Sequence, residues 1–122
     1  MEAVTKKKLE LYAGDAHPEL AQEIADHLGV TLGEPNLRQF ANGEMHCRYG
    51  ESIRGSDVFI IQTHAGPRVS DALMQQLIMI DAAKRASAKR ITAVAPYYGY
   101  ARQDRKAEGR EPITAKLVAD ML

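Results

Sequence analysis

Two short runs constrain this chain more than anything else in it. Val58-Phe59-Ile60-Ile61-Gln62 (VFIIQ) and Ile91-Thr92-Ala93-Val94-Ala95 (ITAVA) are nearly continuous in apolar character. A strand wetted on one face alternates, whereas a strand covered on both faces, as in a parallel sheet, reads as an unbroken apolar run. Between them Leu73, Leu77 and Ile80 recur at helical spacing, with Ser70 placed to cap a helix reaching about Ala86. Upstream, Leu9 to Ala13 alternates like a strand and ends at Gly14-Asp15. His17-Pro18 then opens a helix with the stripe Leu20, Ile24 and Leu28, and Gly29 stands at its C-terminal cap. Leu37 to Phe40 and Met45 to Tyr49 read as two strands about an Ala41-Asn42-Gly43 turn. The order of elements predicts an α/β fold, a parallel sheet flanked by helices with a small β-hairpin excursion.

Composition narrows the class. The chain has 122 residues, 45% apolar and 26% charged, with a formal net charge of zero. That suffices for one core, so residues 1–122 read as one domain. Balanced charge argues against general adhesion to nucleic acid or anionic membrane. No run approaches the roughly 20 apolar residues of a membrane span, and the apolar stretch after Lys6-Lys7-Lys8 is too short for a signal core. The single cysteine, Cys47, rules out an internal disulfide and suits a reducing, cytoplasmic setting. His46, His64 and Cys47 lack metal-ligand spacing, so no metal site is expected. His17 and His27 flank a helix and are expected at the surface. At the other end Ile113, Leu117 and Met121, with Val118 and Leu122, form an apolar stripe with no glycine cap or basic last turn. The expectation is a truncated chain whose last helix is covered by further protein.

The second apolar run leads into PYYGYARQDRK, residues 96–106. In open α/β sheets ligands sit beyond the carboxyl ends of the strands, where this loop belongs. Three readings compete: a solvated connection, a nucleic-acid patch, and a site for a small anion such as a nucleotide. Residues 102–111 hold four basic and three acidic residues, too mixed for a nucleic-acid footprint. Arg102 offers a rigid fork for phosphate oxygens and a planar face for a base. Gln103 can donate and accept at once. Gly99 allows a tight turn or close approach.

ITAVAPYYGYARQDRK, followed by REPITAKLVADML, resembles the ribose-phosphate diphosphokinases, also called phosphoribosyl diphosphate (PRPP) synthetases. The resemblance extends through LYAGDAHPELAQEIADHLG, FANGE, GESIRG and LIMIDAAKRASAKRI, in order and over nearly the whole chain. It implies a phosphoribosyltransferase-like, Rossmann-like three-layer fold. It also implies an enzyme that transfers the β,γ-diphosphate of Mg-ATP to C1 of ribose 5-phosphate, of which this chain is the N-terminal, ATP-contributing domain. By the same resemblance Arg102 and Gln103 bind ATP. Phe40, Asn42 and Glu44 reach a neighbouring subunit's ATP site in a homo-oligomer, a hexamer built from dimers. Ser52, Arg54 and Ser87 form a regulatory anion site. Mg²⁺ would come with ATP, its protein ligand and the catalytic residues lying beyond residue 122. No nucleic-acid or membrane partner is implied.

The resemblance has departures. Ala41 stands where the family usually has serine, and THAGPRVSDALM is one residue longer than the family's segment and lacks its Asn-Asp pair. Taken singly, Phe40 could sit in the core, Asn42-Gly43 could be only a turn, and Ser52 and Arg54 could pair locally with Glu51 or Asp57. A second class of function also fits the same motifs: a non-catalytic regulatory or oligomerisation module related to these enzymes.

Overall fold

The central strand of the protein is the VFIIQ run, shifted one residue toward the N-terminus of the chain. The structure is a computed structural model describing residues 9–42, 44–50, 52–65, 67–97, 99 and 121–122. In chain order the elements are β1 (Leu9–Ala13), α1 (Pro18–Leu28), β2 (Arg38–Gln39), β3 (Met45–His46), β4 (Asp57–Ile61), α2 (Val69–Arg85) and β5 (Arg90–Val94). Strands β1, β4 and β5 form a parallel sheet in that order, with Leu11 opposite Phe59 and Phe59 opposite Thr92. Strands β2 and β3 pair antiparallel as the separate hairpin. The helix expected from Ile113, Gly43 of the hairpin turn, and the pair Arg102 and Gln103 lie outside the described residues.

Alternation along the strands distributes side chains to two covered faces. Tyr12, Val58 and Ile60, with Ile91 and Ala93, point to one side and pack with Met79, Ile80 and Ala83 of α2. Leu11 and Ile61, with Phe59 and Val94, point to the other and pack with Ala25 and Ile24 of α1. The result is a helix–sheet–helix sandwich. Val58 and Ile60 are fully buried, as the apolar run demanded. β5, expected to be equally buried, is half-exposed along Ile91–Val94; among the described strands only β4 lies beside it.

Two local expectations shift. α2 begins at Val69 after an Arg68 cap with no side-chain hydrogen bond, so Ser70 lies inside the first turn rather than capping it. In α1 the buried positions are Ala21 and Ala25, while Leu28 is exposed. The small alanines let the helix approach the sheet, and the larger Leu20 and Ile24 are left at the flank, half-buried. His17, exposed as expected, caps α1 through Nδ1, which accepts the Leu20 N–H at 3.1 Å. The helix closes at Gly29 in the left-handed conformation (φ 72°). Among the described residues no helix is long and apolar enough to cross a membrane.

Candidate functional site

Three buried glutamines gather at the carboxyl ends of the strands. Gln62 follows β4 and is buried, and its amide nitrogen donates to the Ala72 carbonyl (3.1 Å) and to Gln75 Oε1 (2.8 Å). Its own oxygen accepts the Ala16 N–H at 3.3 Å. Gln75 Oε1 also accepts the Asp15 N–H at 2.9 Å. The loop after β1 is therefore held by two buried amides from β4 and α2. Gly14 packs so closely on Gln62 that any Cβ there would collide with its amide group. These bonds shape one wall of a cleft of about 330 Å³, completed by Leu37, Arg38 and Met45 of the hairpin and by Arg68 and Asp71 of α2.

The neighbouring amide serves the next strand ends. Gln76 is fully buried, and its nitrogen donates to the carbonyls of Ile60 (3.0 Å) and Val94 (3.4 Å). Its oxygen lies 2.6 Å from His64 Nε2, and His64 Nδ1 lies 2.9 Å from the Gly99 nitrogen. Gly99 is the glycine of the PYYGY loop. A Cβ added there would lie 2.7 Å from His64 Cβ, so only glycine fits without displacement.

The hairpin carries three of the predicted ATP contacts on its tip. The Phe40 N–H donates to the Glu44 carbonyl at 2.7 Å, and Asn42 Oδ1 accepts the Glu44 N–H at 3.1 Å. Asn42 therefore does build the turn, as its type favours. Phe40 is not core: it is 47% exposed, with His46 edge-on at 6.1 Å and the Arg38 guanidinium 6.0 Å from its ring centre. Asn42 and Glu44 are exposed beside it. An exposed aromatic with an amide and a carboxylate alongside is suited to stacking and hydrogen bonding to a base. None of the three lines the strand-end cleft.

Two of the predicted anion residues, Ser52 and Arg54, come together elsewhere, and the third, Ser87, does not line the cleft they share. Ser52 and Arg54 line a cleft of about 480 Å³ with Arg48 and Tyr49 on one side and Arg85 and Ala86 of α2 on the other. Ser87, one residue past Ala86, has φ 66° and accepts the Gly55 N–H on its carbonyl at 2.9 Å. Among the described residues three arginines line this cleft and no carboxylate does; Arg85 has an exposed ion pair with Asp81 at 2.9 Å. Such a surface attracts anions. At its floor, burial pushes the Cys47 thiol up from its usual range, and burial raises the Tyr49 phenol as well, with neighbouring Cys47 adding to it. Both are therefore protonated groups at neutral pH, and Tyr49 donates its hydroxyl to the Met79 carbonyl at 2.6 Å.

The glutamine network was not anticipated from sequence. The signal was present: Gln75-Gln76 interrupt the apolar face of α2 between Leu73 and Leu77, and a polar residue on a core stripe needs a buried partner.

Residues 9–122 match the family described as the N-terminal domain of ribose phosphate pyrophosphokinase. The chain belongs to that family. Among curated relatives, the ribose-phosphate pyrophosphokinase of Streptomyces coelicolor is 55% identical over 117 residues and that of Mycobacterium tuberculosis 57% over 117 residues. Both alignments cover 96% of this chain and 36% of the relative, so the chain spans about a third of their length. The crystal structure of the phosphoribosylpyrophosphate synthetase from Mycobacterium smegmatis superposes with a TM-score of 0.91 at 57% identity, covering 94% of this chain and 38% of that one. The expected family and the α/β architecture both hold.

Proposed function

We propose that this chain is the ATP-contributing N-terminal domain of a cytoplasmic ribose-phosphate diphosphokinase. The complete enzyme transfers the β,γ-diphosphate of Mg-ATP to the C1 hydroxyl of ribose 5-phosphate and releases AMP. The observation that carries this reading is the family match over residues 9–122. The geometry supports it in two ways: a strand-end rim prepared by buried amides, and an exposed Phe40–Asn42–Glu44 tip standing outside that rim. In this reading Arg102 and Gln103 grip the nucleotide of their own subunit, while Phe40, Asn42 and Glu44 serve the ATP bound by a neighbour, within a hexamer built from dimers. Ser52, Arg54 and Ser87 take a regulatory phosphate or nucleoside diphosphate.

Phosphoryl-type transfer rests on positioning and charge neutralisation, and Mg²⁺ bound with ATP supplies part of that neutralisation. The described residues contain no group of three or more His, Cys, Asp or Glu able to hold a metal ion, so holding it is not assigned to them. Their share is to bind and orient the nucleotide. The test is AMP release from ATP, dependent on ribose 5-phosphate, by a protein of the relatives' full length carrying this sequence. Absence of that activity under magnesium sinks the reading, and leaves the chain as a non-catalytic module.

A further inference from the structure

The buried His64–Gln76 pair is unused by any ligand role above, yet it touches the loop on which the nucleotide reading depends. Gln76 spends its amide nitrogen on two strand-end carbonyls, Ile60 and Val94. Its oxygen is thereby turned toward His64 Nε2, 2.6 Å away, and must accept. Nε2 consequently carries the proton, and Nδ1 is left as the acceptor for the Gly99 N–H at 2.9 Å; this tautomer is set by the network. The backbone agrees with it, since the His64 N–H donates to the Tyr97 carbonyl at 2.8 Å. His64 therefore holds Tyr97 through its main chain and Gly99 through its ring. Its ring and Gln76 are both fully buried, so water does not compete for these bonds.

We propose that His64, oriented by Gln76, is a positioning residue for nucleotide binding: it pins Gly99 and so fixes where the chain departs toward Arg102 and Gln103. This rests on the ATP-binding reading of those two residues. Three peptide steps separate Gly99 from Arg102, which limits their Cα separation to about 11 Å at full extension. Fixing Gly99 before ATP arrives leaves less ordering to be done on binding. Loss of the pin should appear in ATP affinity more than in the chemical step.

Two substitutions separate this role from simple core support. In His64→Asn, the side-chain oxygen falls near the Nδ1 position and can still accept from Gly99, while the reach to Gln76 is lost. In His64→Gln, the terminal amide falls near Nε2 and meets Gln76, while the acceptor for Gly99 is lost. Hydrogen–deuterium exchange on the intact chain, resolved at Gly99, reads the pin directly. Exchange at Gly99 should be at least about 10-fold faster in His64→Gln and within about 3-fold of wild type in His64→Asn. In an enzyme of full family length, KM for ATP should rise about 10-fold in His64→Gln with kcat and the KM for ribose 5-phosphate within about 2-fold, and His64→Asn should restore most of it.

Equal Gly99 exchange in the two variants overturns the pin. Faster exchange with an unchanged KM for ATP overturns its role in nucleotide binding. So does an equal loss in both variants that follows their melting temperatures, which is what a purely structural histidine would give. A wild-type enzyme without ATP-dependent AMP release removes the nucleotide reading instead, and the exchange result then decides the pin alone.

Discussion

Gly55 donates its backbone N–H to the carbonyl oxygen of Ser87 at 2.9 Å, joining the Ser52–Arg54 turn to the end of α2. The tie is reinforced by Lys89, whose N–H donates to the Ser56 carbonyl at 2.8 Å. Residues 32 and 33 positions apart in sequence are thereby tied together beside one arginine-lined cleft. Arg54→Ala should weaken phosphate binding about 10-fold, the scale of one charge-assisted contact. Because Arg54 is exposed, its stability cost should stay within about 0.5 kcal/mol. Calorimetric titration with inorganic phosphate checks the first number and thermal unfolding the second.

Ser87 sharpens that test. Its φ of 66° lies in the left-handed region, which costs a non-glycine residue about 1 kcal/mol. Ser87→Gly relieves this strain but adds unfolded-state freedom, so stability should be unchanged or higher by up to about 1 kcal/mol. Phosphate affinity should nevertheless fall, since the hydroxyl is gone. A variant that is as stable as wild type and binds phosphate equally well would remove Ser87 from the site.

Alkaline pH should destabilise the protein at Cys47 and Tyr49, which line the arginine-rich cleft. Burial raises the thiol of Cys47 above its usual 9.0 and the phenol of Tyr49 above its usual 10.0. The native state then binds more protons than the unfolded chain at high pH, so stability falls as pH rises. The contribution is complete below about pH 9 and is lost from there upward, at up to about 1.4 kcal/mol per pH unit for each group. Denaturant titrations between pH 8 and 11 should show this decline, and Tyr49→Phe or Cys47→Ala should each flatten it. Tyr49→Phe should also cost about 1–2 kcal/mol at neutral pH, because the Met79 carbonyl loses its donor. A slope unchanged in both variants would mean that other groups set the alkaline limit.

Arg102→Ala, in an enzyme of full family length, should raise KM for ATP and reduce turnover while leaving the melting temperature near that of wild type. The reason is chemical: a guanidinium in so polar a stretch of sequence is suited to ligand contacts rather than to a core. Arg102→Lys should rescue little, since an ammonium has neither the fork nor the stacking plane. Ordinary ATP kinetics in the alanine variant would take this loop out of the nucleotide site.

How far the sequence could be read depended on which periodicity carried the information. The strands and α1 were legible because apolar runs, Pro18 and Gly29 act locally. Strand ends in the hairpin were less so: β2 and β3 contain two residues each, where Leu37–Phe40 and Met45–Tyr49 had suggested four and five. Tyr49 leaves the ladder to pack edge-on against Tyr12 at 4.6 Å and to bond Met79, a tertiary contact that strand propensity does not encode. Ser52 and Arg54 could be named from their motif, but the contribution of Arg48 and Arg85 to the same cleft needed the packing of α2. Gln75 and Gln76 were not singled out, because their partners lie on β4, on β5 and in the loops after β1 and β4. Buried polar groups are specified by what lies across the core, and that is the part of a fold a linear pattern conceals.

The hairpin tip supplies the last test, since its three residues stand outside the cleft that the strand ends form. Phe40 is exposed, so Phe40→Ala should cost little stability, within about 0.5 kcal/mol. If it serves a neighbour's ATP, the same change should nevertheless remove most activity, because a stacking platform for the base is worth about 1–3 kcal/mol. Arg102→Ala should do so from the other side of the site. Enzymes of full family length carrying one or the other substitution, each nearly inactive, should regain activity when dissociated and reassembled together. In such mixtures some sites pair an intact Phe40 from one subunit with an intact Arg102 from the next. For random pairing across a two-subunit site, about a quarter of the sites would be intact, and recovery should approach that fraction of wild-type turnover. Mixed assemblies that form but stay inactive would mean that Phe40 does not serve a neighbour's ATP.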